Sequence, residues 1–250
     1  MRTEGDIAME EKRKLKLNKL TLQVIAMTAM LIDHIGSILL PGVLALRVIG
    51  RLAFPIFAFF VAEGCEKTKN LPRYIRRMAL FAVLSEVPFD FAHGSWWNPH
   101  SQNVLWTFLI AMLCIYAIKK FRSLCQRQAD VILISAIIAL AGFFSAMFLQ
   151  TDYAGFGVWA VLIFWVCRDR SWRYSGELLG QGIVCYNTTA IHFLKTGEIM
   201  IPLQGFALFA LPLIWLYDGE QGPHNRTIQY ACYAFYPVHL ILLGTAARLI

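Results

Sequence analysis

Apolar residues run along this chain in long blocks, separated by short polar stretches rich in Lys and Arg. A helix needs ~17–25 mostly apolar residues to cross the ~30 Å hydrocarbon layer of a bilayer. On that ruler the pattern predicts nine spans, over residues 20–40, 43–65, 74–92, 103–118, 131–149, 154–167, 178–194, 200–217 and 230–249. The first two are hinged at Pro41-Gly42. The fifth, VILISAIIALAGFFSAMFL, runs without a charge. The seventh is the weakest, interrupted by Gln181, Asn187, two Thr and His192. No internal repeat, heptad run or low-complexity segment interrupts the pattern.

Composition closes off the other classes. Hydrophobic residues are 58% and charged residues 16% of the 250, with a mean hydropathy of +0.54. A soluble domain still needs a polar skin that this composition does not supply. Disorder is excluded because the chain has far too much apolar and aromatic surface to bury. Six Cys sit in or at the ends of apolar runs with no C-x-x-C pair, which reads as small buried hydrophobes rather than disulfides or a metal site. No cleavable signal peptide is visible, and the first span is expected to double as an uncleaved anchor.

The excess of cations, formally +7, is placed as membrane loops are charged, not as a nucleic-acid surface. With the N-terminus in the cytoplasm, the inner segments are 1–19, 66–77, 119–130, 168–177 and 218–229. They hold nineteen of the 23 Lys and Arg, and the outer segments hold only Lys195 and Arg248. The expected fold is therefore all-α and polytopic, with about nine transmembrane helices, a cytoplasmic N-terminus and an extracytoplasmic C-terminus. Residues 1–19 form a basic cytoplasmic segment and 20–250 a single transmembrane domain.

Ionisable groups inside spans cost ~2.5–3.5 kcal/mol each at mid-helix on insertion scales, so they mark function by default. Here they are Asp33, His34, Arg47, Arg51, Glu63, Glu86, Asp90, His192 and His239. His34 lies fifteen residues past Lys19, ~22 Å from the inner boundary at the helical rise. Arg51 reaches the same depth from the other side, so the hairpin of spans one and two brings Asp33 and His34 against Arg47 and Arg51. His239 joins that level from the last span. Asp33 and His34 are neighbours in sequence, so their side chains diverge by about 100°. One is expected to bind an Arg while the other faces a cavity. The competing reading is a structural ion pair of Asp33 with Arg51 and a satisfied interior histidine.

Glu86 and Asp90, at i and i+4, repel; one is protonated, a cation sits between them, or they line a wet vestibule wall. Glu63 lies near the inner boundary, within reach of water or Lys67, and His192 reads as structural. The outer loop AHGSWWNPHSQ (92–102) places two Trp at the level of an aromatic belt, with His93 and His100 facing solvent. Asp152 reads as the cap of a Gly-rich turn. Phosphate-binding loops, dinucleotide fingerprints, H-E-x-x-H zinc sites and G-x-S-x-G elbows are all missing.

Several stretches, in order from end to end, resemble one family. They are AMTAMLIDHIG (26–36), LRVIGRLAFPIFAFFVAEG (46–64), KTKNLPRYIRRMALFAVLSEVPFDFA (67–92), NVLWT (103–107), TDYAGFGV (151–158) and FYPVHL (235–240). The chain resembles the TraX family of membrane proteins, whose name-giving member acetylates the N-terminal residue of conjugative pilin. The family is distantly similar to the integral-membrane acyltransferases of acyltransferase family 3. These move acyl groups from cytoplasmic acyl-CoA to extracytoplasmic sugars, with an essential His in the first span and Arg in a following one.

The resemblance implies N- or O-acetyl transfer across a prokaryotic plasma (inner) membrane. Acetyl-CoA is the co-substrate and an extracytoplasmic protein or glycan the acceptor; histidine spacing and charge patterning, for their part, give no expectation of a metal or of nucleic acid. His34, Asp33 and His239 become the catalytic candidates, and Arg51 and Arg47 the donor-binding ones. Two other classes fit the same buried charges: a small transporter using them as an ion relay, and a non-catalytic partner in pilus or secretion assembly.

Overall fold

The computed structural model describes residues 16–196, 202–223 and 225–250. Among the described residues the fold is all-helical, with two isolated β-bridges and no strand. Helix α1 (Lys19–His34) runs into a π-helical turn, Ile35–Leu39. Then come α2 (Leu44–Gly50), α3 (Ala53–Lys67), α4 (Leu71–Ala92), α5 (Val104–Arg122), α6 (Gln128–Phe148), α7 (Ala154–Cys167) and α8 (Arg173–Thr196). A 3-10 segment, Leu203–Phe209, leads into α9 (Ala210–Trp215), and α10 (Arg226–Leu249) closes the chain.

Asparagine side chains start four of these helices. Asn18, Asn70, Asn103 and Asn225 accept from the backbone N–H of Thr21, Arg73, Leu105 and Ile228, at 2.8–3.0 Å. These caps satisfy donors that the helix itself leaves orphaned. They also explain why α4 and α10 begin a turn earlier than their apolar runs: the first turn is polar and lies outside the hydrophobic block.

Among the described residues five helical segments are long and apolar enough to cross a membrane: Lys19–Leu39, Leu44–Lys67, Val104–Arg122, Gln128–Phe148 and Thr227–Leu249. The chain is a multi-pass membrane protein. Helices α4 and α8 have the length but are less apolar: α4 carries five charged residues, and α8 is interrupted by polar ones such as Gln181 and Asn187. Helix α7, at 14 residues, rises only ~21 Å. The expected eighth span is not a continuous α-helix: Pro202, Gly205 and Pro212 leave a 3-10 stretch and six residues of α-helix. The second span breaks at Arg51-Leu52. Pro55, in the first turn of α3, has no N–H to carry the ladder back across the junction.

Burial follows lipid rather than water. Helix α3 is hydrophobic all round and buried on most of its faces, as befits the centre of a bundle. Ile56, Ala58 and Ala62 there meet Met112 and Ile115 of α5, Val158, Val161 and Phe164 of α7, and Leu22 and Ala26 of α1. Helix α6 inverts the soluble pattern, with Ile132, Leu133, Ile137, Leu140 and Phe144 outward and only the small Gly142 and Ala146 buried. Small residues let helix backbones approach closely where lipid gives no hydrophobic drive to associate.

Candidate active site

The site forms where α1 turns back into α2. Asp33, on the last turn of α1, is 8% exposed. Its carboxylate accepts from Arg51 Nη2 at 2.7 Å through both oxygens, and from Arg47 Nη1 at 2.8 Å. Arg47 and Arg51 share one face of the α2 segment, one turn apart. Gly50 stands between them, and a Cβ at that position would lie 2.2 Å from Asp33 Cβ. The R-x-x-G-R spacing therefore does two jobs: it aims two guanidinium groups at one carboxylate, and it removes the side chain that would hold them apart.

Arg51 is fully engaged by the protein, Arg47 only in part. Arg51 Nε donates to the carbonyl of Arg47 at 3.3 Å and its Nη1 to Gln204 Oε1 at 3.3 Å. Arg47 Nη1 also reaches the Asp33 carbonyl at 3.1 Å. Among the described residues no hydrogen bond occupies Arg47 Nε or Nη2. The ion pair expected from sequence thus exists with a second arginine added, and it pins α1 to α2.

His34, one residue on, turns away from this cluster. Its Nδ1 is 2.7 Å from Nε2 of His239 on α10, and the two rings are stacked 5.0 Å apart. His239 Nδ1 lies 2.7 Å from the Phe235 carbonyl. A carbonyl only accepts, so His239 carries its proton on Nδ1. With both rings neutral, His239 Nε2 is then an acceptor, and His34 Nδ1–H must donate to it. His34 Nε2 is left as a lone pair. The π-helical turn after His34 widens the helix at this point, and Ser37 Oγ donates to the His34 carbonyl at 3.2 Å. Helix α10 continues through Pro237, and His239 uses the Phe235 carbonyl rather than the one that proline frees.

His34 and the Asp33–arginine cluster line a chamber of about 250 Å³, with His239 behind His34 rather than on the wall. Asp33, His34, Ser37, Arg47 and Arg51 lie on one side. Tyr236, one turn from His239, forms part of the wall, and His93, Ser101 and Asp152 come from the loops at that end of the bundle. His93 is exposed, as expected, yet it lines the chamber, with Nδ1 held 2.8 Å from the Phe89 carbonyl. Tyr153 adopts a left-handed backbone (φ 62°) and stacks on Phe54 at 3.7 Å, adding a wall that no motif announced. Asp152 Oδ1 accepts from the Tyr153 N–H at 3.0 Å, a turn-capping bond at the chamber's edge.

The other intramembrane acids lie outside the chamber. Glu63 pairs with Lys67 at 2.8 Å. Glu86 Oε2 accepts from Asn103 Nδ2 and from Trp106 Nε1 at 2.8 Å, while Asp90 Oδ2 accepts from the Asn98 N–H at 2.8 Å. Each carboxylate has its own donors. The side chain of His192 lies outside the described residues. Among the described residues no three His, Cys, Asp or Glu come together as metal ligands, and the six thiols are free.

The family model for TraX protein matches residues 18–246. The chain belongs to the TraX family. A probable fimbrial assembly protein, FimC of serogroup H1, from Dichelobacter nodosus is 27% identical over 94% of this chain and 97% of its own length. An uncharacterized protein of Rickettsia prowazekii (strain Madrid E) is 51% identical over 26% of this chain and 25% of its own length. No solved structure matches. The TraX match takes in α1 to α10, and so contains every side chain of the chamber.

Proposed function

We propose that this TraX protein is a plasma-membrane acetyltransferase. It moves an acetyl group from cytoplasmic acetyl-CoA to an extracytoplasmic amine or hydroxyl, on a pilin N-terminus or a cell-envelope component. The observation that carries the reading is the Phe235 carbonyl–His239–His34 chain ending in a chamber beside two fixed guanidinium groups. The chamber suits proton transfer from an acceptor and charge development at a carbonyl in one place. The Dichelobacter relative, a probable fimbrial assembly protein, supports a fimbrial setting for the acceptor. The loop charges support nine crossings with the N-terminus inside, which puts Lys19 at the cytoplasmic face and the chamber in the outer half of the membrane.

In the reaction, His34 Nε2 takes the proton of the acceptor N–H or O–H as the acceptor's lone pair attacks the thioester carbonyl carbon. Arg47, whose Nε and Nη2 no other hydrogen bond occupies among the described residues, supplies the N–H donors for the oxyanion, while Asp33 holds its guanidinium in place. On collapse the C–S bond breaks, and the proton held by His34 passes to the departing thiolate, giving the acetylated acceptor and CoA thiol. His239 fixes the His34 tautomer and delocalises the transient positive charge. Imidazole suits this exchange because its ordinary pKa, about 6.5, lies near neutral pH.

The test is to incubate purified protein in proteoliposomes with labelled acetyl-CoA and cell-envelope fractions. Acceptor labelling with CoA release supports the reading. Gradient-dependent flux without CoA release would replace it with a transporter. Full biological activity of a His34→Ala protein lacking any transfer would replace it with an assembly partner.

A further inference from the structure

A second cavity, of about 230 Å³, opens at the Lys19 end of α1. It is mostly apolar, lined by Met27, Phe60, Met78 and Phe81 among others. Met30, Phe57, Val104, Phe108 and Tyr236 line both this cavity and the polar chamber, so one layer of side chains separates the two. At the far end stand Lys19 and Arg77, with Gln23 and Gln229. Among the described residues neither cation makes an ion pair; Lys19 Nζ lies 6.0 Å from the Phe60 ring and Arg77 5.7 Å from the Tyr74 ring.

That order of properties specifies a ligand. Cations at one end, an apolar passage, and a reactive chamber beyond the other end fit a molecule with an anionic head, a long flexible uncharged arm and a carbonyl at its tip. A phospholipid shares the head, but its ester carbonyls lie beside the phosphate, not at the far end. An acyl thioester of phosphopantetheine has the right order. Lys19 and Met30 are eleven residues apart on α1, a rise of ~16 Å, which an extended pantetheine arm covers.

We propose that the inner cavity is the donor site. Lys19 and Arg77 receive the phosphates of the acyl-CoA, and the thioester passes Met30 and Tyr236 to reach His34. This rests on the acyl-transfer reading. It moves the phosphate contacts away from Arg47 and Arg51, which are already ion-paired to Asp33, and leaves the free Arg47 donors the carbonyl.

Cys232 lines this cavity and reports on it directly. Four other thiols are buried, and Cys125→Ser removes the remaining accessible one. The probe is acetyl-CoA, which has no free thiol to consume a maleimide, applied to the full chain in phosphatidylcholine nanodiscs. Acetyl-CoA should slow Cys232 alkylation about fivefold at saturation, because bound ligand excludes the reagent. S-acetylpantetheine, lacking the phosphates, should need about tenfold higher concentration or more, and Lys19→Gln/Arg77→Gln should weaken acetyl-CoA protection by a similar factor. Lys19 acts electrostatically on the Cys232 thiol, so its loss changes basal alkylation, and protection is read in each protein as the ratio of rates without and with acetyl-CoA.

Protein that transfers acetyl while acetyl-CoA leaves Cys232 unprotected overturns the donor site and spares the acyl-transfer reading. So does protection that the paired substitutions leave unchanged. Protection conferred by phosphatidylglycerol nanodiscs, with acetyl-CoA adding nothing, overturns it in favour of a lipid groove. Neither transfer nor protection overturns both readings.

Discussion

His34 Nδ1 and His239 Nε2 lie 2.7 Å apart although 205 residues separate them in the chain. Because the Phe235 carbonyl fixes the proton of His239, the direction of the bond between the rings follows, and with it the nitrogen that His34 has free for chemistry. The two histidines are therefore unequal. Removing His34 deletes the base, with a typical cost of ~10²–10⁴-fold in rate. Removing His239 leaves a base whose tautomer and orientation are no longer held. We expect His34→Ala to fold, to bind acetyl-CoA and to lose acetyl transfer by that factor. His239→Ala should lose less, again with unchanged acetyl-CoA affinity. Transfer rates and equilibrium binding on the same detergent-solubilised samples check both, and near-normal transfer by His34→Ala overturns the assignment.

Asp33 faces two arginines, and each arginine has the same one carboxylate. Loss of Asp33 leaves two half-buried cations without their carboxylate, whereas loss of Arg51 leaves Asp33 still paired to Arg47. Breaking a buried pair from one side costs ~3–5 kcal/mol. Asp33→Ala should therefore lower the melting temperature and folded yield more than Arg51→Ala, and Arg51→Ala/Asp33→Asn should recover part of the loss. Fluorescence-detected size exclusion with a temperature ramp reads all three. Equal damage from Asp33→Ala and Arg51→Ala would contradict the shared-carboxylate geometry.

Arg51→Lys keeps a charge near Asp33 but not the fork that reaches both of its oxygens and Gln204. A lysine is a point charge without that planar geometry. The variant should be better folded than Arg51→Ala yet remain well below wild type in transfer. Wild-type turnover in Arg51→Lys would show that the fork does not matter.

Gly50 has no room for a side chain, since a Cβ would overlap Asp33. Overpacking of this kind typically costs ~1–3 kcal/mol. Gly50→Ala should lower both the melting temperature and acetyl transfer. Gly42, in the turn before α2, has nothing within 4 Å of a built Cβ, and Gly42→Ala is the matched control with little effect. Similar melting temperatures for the two variants would dismiss the close contact.

The charge bias of the loops makes a topological prediction. That bias assigns Cys125 to an inner segment and Ser101, which lines the polar chamber, to the outer loop before α5. In sealed vesicles an impermeant thiol reagent should reach Cys125 and an engineered Ser101→Cys from opposite faces. Labelling of both from the same face would break the predicted orientation between them.

Much of this was legible in the sequence, for an identifiable reason. Hydrocarbon imposes one rule on every segment it holds, that backbone groups pair internally and side chains be apolar, so helix positions and exceptional residues show without any tertiary knowledge. Asp33, His34, Arg47, Arg51 and His239 stood out as costly groups in apolar runs, and the structure brings all five to one place. The rule is blind to how a helix is finished. Pro55 splits the second span, and Pro202 and Pro212 reduce the eighth to a 3-10 stretch and a short helix, because apolar composition reports burial and not backbone continuity.

What only the tertiary structure decided is partnership. Spacing on α2 shows that Arg47 and Arg51 share a face, but not that both are spent on one carboxylate. Nothing near Asp33 and His34 says that α10 returns to meet His34, or that Tyr153, in a left-handed turn, completes the wall. Nor does any run of residues show two cavities sharing Met30, Phe57 and Tyr236. Side-chain identity and depth are local properties set by the bilayer; which groups touch depends on how separate helices pack, and that packing is written in no single span.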